Sequence, residues 1–127
     1  MQKQINAVKQ FHEVYQLEYS TTLKNDLGKA KNLLRYNLMK EENEEYLEAV
    51  NNKDIVEIAD ALGDMLYILC GTIIEHGLQD KIEQVFDEIQ RSNMSKLDQN
   101  GNPLYREDGK VLKGPNYFKP DFSKILK

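Results

Sequence analysis

The 127-residue sequence has no tryptophan, only three prolines and a single cysteine. One cysteine cannot form a disulfide within the chain, so the fold must be held by a buried core, as suits a reducing cytoplasm. Cys70 lies in an apolar stretch and reads as a small core residue. No long apolar run is present. The longest, Ala59 to Ile74, is broken by Asp60, Gly63, Asp64, Gly71 and Thr72, which excludes a bilayer span. The N-terminal stretch MQKQINAVKQFHEVYQ lacks the apolar centre of a signal peptide, so a cytoplasmic protein is expected. P-loop, dinucleotide-binding glycine, zinc and Ser/His/Asp patterns are absent. The only two histidines, His12 and His76, follow Lys9 and Ile73 at minus three. The Glu-x-x-His pairs of di-iron bundles are therefore excluded, and both histidines read as surface or packing residues. The net charge of −4 argues against general nucleic-acid binding.

What is present suits one soluble domain spanning 1–127, large enough to bury a core. Helical spacing of Ile5, Val8, Phe11 and Tyr15 predicts a helix over about 3–18. A second helix is expected over about 26–50, with Leu27, Ala30, Leu34, Leu38 and Ala49 inward. A third runs from Asp54, with Glu57 completing a capping box, to about His76, where Gly77 stops it. Asp80 and Glu83 repeat the start signal for a fourth helix to about Leu97. The fold class is thus all-α, a four-helix bundle with a core over about 3–97. The tail, 98–127, carries the turn dipeptides Asn100-Gly101 and Asp108-Gly109, and the second suggests a small β-hairpin.

Between Lys40 and Asp64 nine acids face two bases. Successive helical residues turn by about 100°, so Glu41 and Glu45 fall within roughly 20° of the line through Leu34. Glu42 sits at its edge. On the third helix Ile58, Leu62, Leu66, Leu69 and Ile73 form one apolar face. Glu57, Asp60 and Asp64 share the other side with Val56, Tyr67 and Ile74. A hairpin of these helices lets the two acidic clusters face each other. Crowded carboxylates must take up protons, find bases or bind cations, and too few bases are near. Hard divalent ions suit an all-oxygen set, Mg²⁺ above all where phosphate is present. Glu44 and Glu48 read as a solvated face. Tyr67, one turn from Asp64, fits either the core or the wall of a base pocket.

Glu42-x-x-Glu45, eleven residues, then Glu57-x-x-Asp60 resembles the ExxE…ExxD signature of the all-α nucleoside triphosphate pyrophosphohydrolases, the MazG-like superfamily. Its context, Arg35-x-x-Leu38-x-x-Glu41-Glu42, then Gly63-Asp64-Met65-Leu66-Tyr67, agrees. Ser92 to Leu97, Asp108 to Val111 and Lys113 to Phe118 look like the bacterial and phage branch, whose best-known relatives act as dUTPases. The resemblance implies a MazG-like bundle that cleaves a nucleoside triphosphate to monophosphate and pyrophosphate, with dUTP or another deoxynucleotide as a candidate substrate. It implies Mg²⁺, with Mn²⁺ as a substitute, on Glu42, Glu45, Glu57 and Asp60, with Asp64 replacing or supplementing a ligand. Glu41 matches the acid that activates water. Asn93, Lys96, Lys113 and Tyr117 fall where nucleotide or phosphate contacts are expected, though solvated lysines, a helix end and packing explain them equally well. A homodimer or homotetramer is implied, with no membrane or nucleic-acid partner. The alternatives are a phosphoribosyl-ATP pyrophosphatase and a non-enzymatic acidic interaction surface.

Overall fold

The computed structural model describes Met1–Lys127 and holds four α-helices and no β-strand. They are α1 (Gln2–Val14), α2 (Lys29–Asn51), α3 (Ile55–Glu75) and α4 (Ile82–Met94). The all-α expectation holds. The chain groups into two compact units, Met1–Asp80 with α1 to α3 and Lys81–Lys127 with α4 and the tail.

In the first unit, local chemistry sets the helix ends. α1 stops at Val14, short of the expected 18, because Gln16 turns left-handed (φ 57°) and Leu17 N–H returns to the His12 carbonyl. α2 starts at Lys29 rather than near 26. The Asp26 carboxylate accepts from Gly28 N–H and the Asn32 amide, holding the lead-in out of the helix. Only Asn52, Lys53 and Asp54 separate α2 from α3, and Lys53 is left-handed at φ 54°. So short a turn makes the two helices an antiparallel hairpin. Asp54 caps α3 by accepting from Val56 and Glu57 N–H, while its own N–H donates to the Ala49 carbonyl. The return half of a capping box is thus unused, and the Glu57 carboxylate is not needed for capping. α3 ends as Gly77 takes φ 73° and its N–H bonds Ile74, with Leu78 N–H bonding Ile73. A Cβ at Gly77 would also overlap the Thr22 carbonyl.

The core of this unit joins Ile5 and Val8 of α1, Ala49 of α2 and Ala61, Cys70, Ile73 and Ile74 of α3. Its inward stripes differ from those expected. Leu34 of α2 is 51% exposed, as are Leu62 (49%), Leu66 (41%) and Leu69 (45%) of α3. The buried position beside Leu34 is instead Arg35. Arg35 donates to the Ile68 carbonyl and Thr72 Oγ1, and pairs with buried Glu75 at 2.9 Å. Glu75 also meets His12 Nε2 at 3.4 Å and Lys31 at 3.6 Å. One carboxylate at the end of α3 thus ties all three helices. Gly71 makes room for it, since a Cβ there would lie 2.6 Å from Arg35 Nη2.

In the second unit α4 begins at Ile82, its N-cap Lys81 making no side-chain cap bond, so the expected Asp80–Glu83 capping box does not form. The tail packs on α4. Ser92 Oγ donates to the Phe118 carbonyl, Glu88 accepts from Asp121 N–H, and Arg91 lies over the Phe118 ring. The expected hairpin is a single antiparallel bridge, Tyr105 with Val111, around the Asp108-Gly109 turn.

Removing one partner of a buried ion pair leaves the other charge desolvated and unpaired. Glu75→Ala should therefore lower the unfolding free energy by about 3 kcal/mol in denaturant titrations. A loss below about 1 kcal/mol, the size of an exposed pair, would contradict the network's structural role.

Candidate metal centre

The α2–α3 hairpin sets the register of the acids. Glu42 and Glu45 sit one turn apart on α2, and Asp64 sits on the facing α3. Carboxylate oxygens of Glu42, Glu45 and Asp64 all lie within 4.8 Å of one another. Glu42 is the inward member, its Oε2 shut off from solvent with no hydrogen-bond partner. Burial, then the adjoining Glu45 carboxyl, and then the charges of Asp64 and Asp60 push Glu42 up to about 7. A second, adjacent group of acids follows. Glu45, Glu48, Glu57 and Asp60 line a cavity of about 380 Å³ with Ala49 and Asn52. Glu45 belongs to both groups, so the acids form one continuous strip.

These residues fit a hard divalent cation. Every donor is a carboxylate oxygen, the preferred ligand of such ions. The orphaned Glu42 Oε2 is a buried acceptor for which the protein itself offers nothing.

The structure brings Glu42, Glu45 and Asp64 together, and sets Glu57 and Asp60 on the adjoining cavity. Glu41 lies exposed on α2, outside the cluster. Of the expected nucleotide contacts, all in the second unit, Asn93 is exposed in the last turn of α4. Gly114 rides so close to the Leu97 carbonyl that a Cβ would overlap it, which brings Lys113 beside the Lys96–Leu97 backbone. Lys113 Nζ lies 4.9 Å from the centre of the Tyr117 ring. Sequence reasoning missed that Glu48 borders the acid cavity. It also took His12 for surface or packing and gave Arg35 no charge partner. Arg35 beside Leu34, and Glu75 closing an apolar run, were the available signals.

Glu42 has a signed pH consequence. Its folded value of about 7 exceeds the ordinary 4.5, so the folded chain binds the extra proton between those values. Without divalent ions, stability from this group is full below about 4.5 and is lost as pH rises through about 7. Thermal melts in chelator should therefore fall in midpoint between pH 5 and 8, and Glu42→Gln should flatten that trend. Mg²⁺ added at pH 6.5 should release protons. A melting midpoint that rises with pH over this range would contradict the assignment.

Residues 8–93, from α1 through most of α4, match the family profile described as phosphoribosyl-ATP pyrophosphohydrolase. No curated protein matches the sequence. With the acids of the resemblance converging on one hairpin, the chain belongs to the phosphoribosyl-ATP pyrophosphohydrolase family, within the all-α MazG-like superfamily, and is a hydrolase of phosphoanhydride bonds.

Proposed function

We propose that the chain hydrolyses the bond between the α and β phosphates of a nucleoside triphosphate, with Mg²⁺ as cofactor, to give a nucleoside monophosphate and pyrophosphate. The observation that carries this is the convergence of Glu42, Glu45 and Asp64 around a buried oxygen that lacks any protein partner. Mg²⁺ would be held by these three together with Glu57 and Asp60, and would neutralise phosphate oxygens and acidify water. Mn²⁺, with the same liking for oxygen ligands, would serve in its place.

The chain's own residues supply the rest. Glu41, immediately before Glu42, accepts the proton of the attacking water at its carboxylate. Its support is its position in the motif and its exposure to solvent. As the new phosphorus–oxygen bond forms, the α–β bridge breaks and pyrophosphate leaves with the electron pair. No protein nucleophile is needed, because phosphoryl transfer is governed by positioning and charge. The second unit carries nine bases and seven acids, against eight bases and fourteen acids in the first. That excess suits Lys96 and Lys113 to phosphate, with Asn93 and Tyr117 as nucleotide contacts. The exposed row Ile55, Leu62, Leu66 and Leu69 on α3 supports a homodimer or homotetramer. A nucleotide pool in the cytoplasm completes this reading.

On the substrate, two observations pull apart. The tail motifs favour dUTP or another deoxynucleotide, while the family match favours phosphoribosyl-ATP, a substituted triphosphate. Both offer the same bond to the same acids. Pyrophosphate release should be measured with Mg²⁺ over the ribo- and deoxyribonucleoside triphosphates, dUTP and phosphoribosyl-ATP. Glu42→Gln and Asp60→Asn should each cut turnover at least a hundredfold with the helical signal unchanged. Near-normal turnover in either variant would defeat the ligand assignment. In sedimentation, the 14.8 kDa chain should run as a dimer or tetramer, and Leu66→Glu should shift it towards monomer. A wild-type monomer at micromolar concentration that still turns over would defeat the oligomer.

A further inference from the structure

In the second unit, Glu88, Arg91, Ser92 and the C-cap Ser95 are spaced so that they share one face of α4. A packing face at this spacing is ordinarily apolar. Here all four residues are polar, and Ser92 is the buried residue of the helix. Each of them serves the tail stretch Phe118–Asp121. Ser92 Oγ donates to the Phe118 carbonyl at 2.8 Å, and Ser95 Oγ accepts from the Phe118 N–H at 3.2 Å. The Arg91 guanidinium, held by both oxygens of Glu88, lies 4.3 Å from the centre of the Phe118 ring. Glu88 also accepts from Asp121 N–H at 2.9 Å. Both polar backbone groups of Phe118 are thus taken, while the residue itself stays 37% exposed. This face of α4 grips the tail by its backbone more than it buries it.

The segment just before Phe118 is fixed at its other end too. Gly114 is pressed on the Leu97 carbonyl, and Tyr117 N–H returns to the Gly114 carbonyl, closing 114–117 as a turn. Lys113 and Tyr117 flank that turn, and the Lys113 ammonium rests on the Tyr117 ring rather than on a carboxylate. We infer that Ser92 and Ser95 are positioning residues: their grip on Phe118 sets Lys113 and Tyr117 in the one arrangement in which both meet the nucleotide. The inference rests on the pyrophosphohydrolase reading above. Hydrogen bonds to both backbone groups of one residue fix the register of the chain, which side-chain packing alone leaves free to slide. A loose segment would lose its conformational freedom each time substrate bound, whereas this turn is ordered beforehand. Ser92 and Ser95 touch no substrate in this scheme; they act through Phe118 on the two residues beside it.

The test joins hydrogen exchange to steady-state kinetics on the full chain. Ser92→Ala, Ser95→Ala and Ser95→Thr would be compared with wild type, using dUTP and phosphoribosyl-ATP with Mg²⁺. In each alanine variant, amide exchange over 113–118 should quicken at least about tenfold, with α1 to α3 unchanged. KM should rise about tenfold, the size of one lost charge-assisted contact, with kcat within about twofold. Ser95→Thr, which keeps the hydroxyl, should match wild type. In a Lys113→Ala/Tyr117→Ala background, adding Ser95→Ala should move KM less than about twofold, because the residues it serves are already gone. Ser95, only half-buried, carries the test alone should Ser92→Ala loosen α4, which exchange over 82–94 reports. The inference is overturned if 113–118 exchanges as in wild type, or if it loosens with KM unmoved. It is also overturned if Ser95→Ala raises KM as much in the double-alanine background as in wild type. In each of these cases wild-type turnover leaves the pyrophosphohydrolase reading standing. Absence of wild-type pyrophosphate release from both nucleotides would remove that reading and the inference with it.

Discussion

Like charges drawn into one confined place are the constraint around which the first unit is organised. A three-residue turn folds α3 back on α2, and this alone forces Glu42 and Glu45 against Asp64. The outer members of that group are exposed, but Glu42 Oε2 is shut off from solvent and has no protein donor. Its carboxyl answers by holding its proton to about pH 7. A helix pair shaped only for stability would place leucine at such a position. A carboxylate there is intelligible when a cation is its partner, which links the crowding of these acids to the chemistry of the family.

The same unit solves a second charge problem in the opposite way. Glu75 is more deeply buried than Glu42, yet it meets Arg35, His12 and Lys31. The contrast defines the two roles. At Glu75 the charge is neutralised by side chains and secures α1 and α2 to α3. At Glu42 no side chain serves, and the charge stays available to something that comes and goes. Both lie on one hairpin, so rigidity at one end of α3 supports the geometry of the acids further along it.

Much of this was legible in the sequence. Helical periodicity, the Asp54 cap and the Gly77 stop each act locally, and each appeared where residue chemistry placed it. The carboxylates were legible because ExxE and ExxD spacing fixes which side chains share a helix face. Long-range packing was not. Leu62, Leu66 and Leu69 form a convincing inward stripe, yet in the single chain they stay half open, because periodicity marks an apolar face without naming what covers it. His12 and Arg35 were underestimated because their partner, Glu75, lies far along the chain. The α4 cap failed because Asp80 merely resembles an N-cap, while the helix begins at Ile82.

The central claim is that the crowding at Glu42, Glu45 and Asp64 is a cation site. Anomalous diffraction from crystals grown with Mn²⁺ tests it directly. The account predicts a manganese peak within ligand distance of oxygens from all three side chains, with Glu42 Oε2 among them. A map with no peak there, and those carboxylates turned outward into solvent, would contradict it.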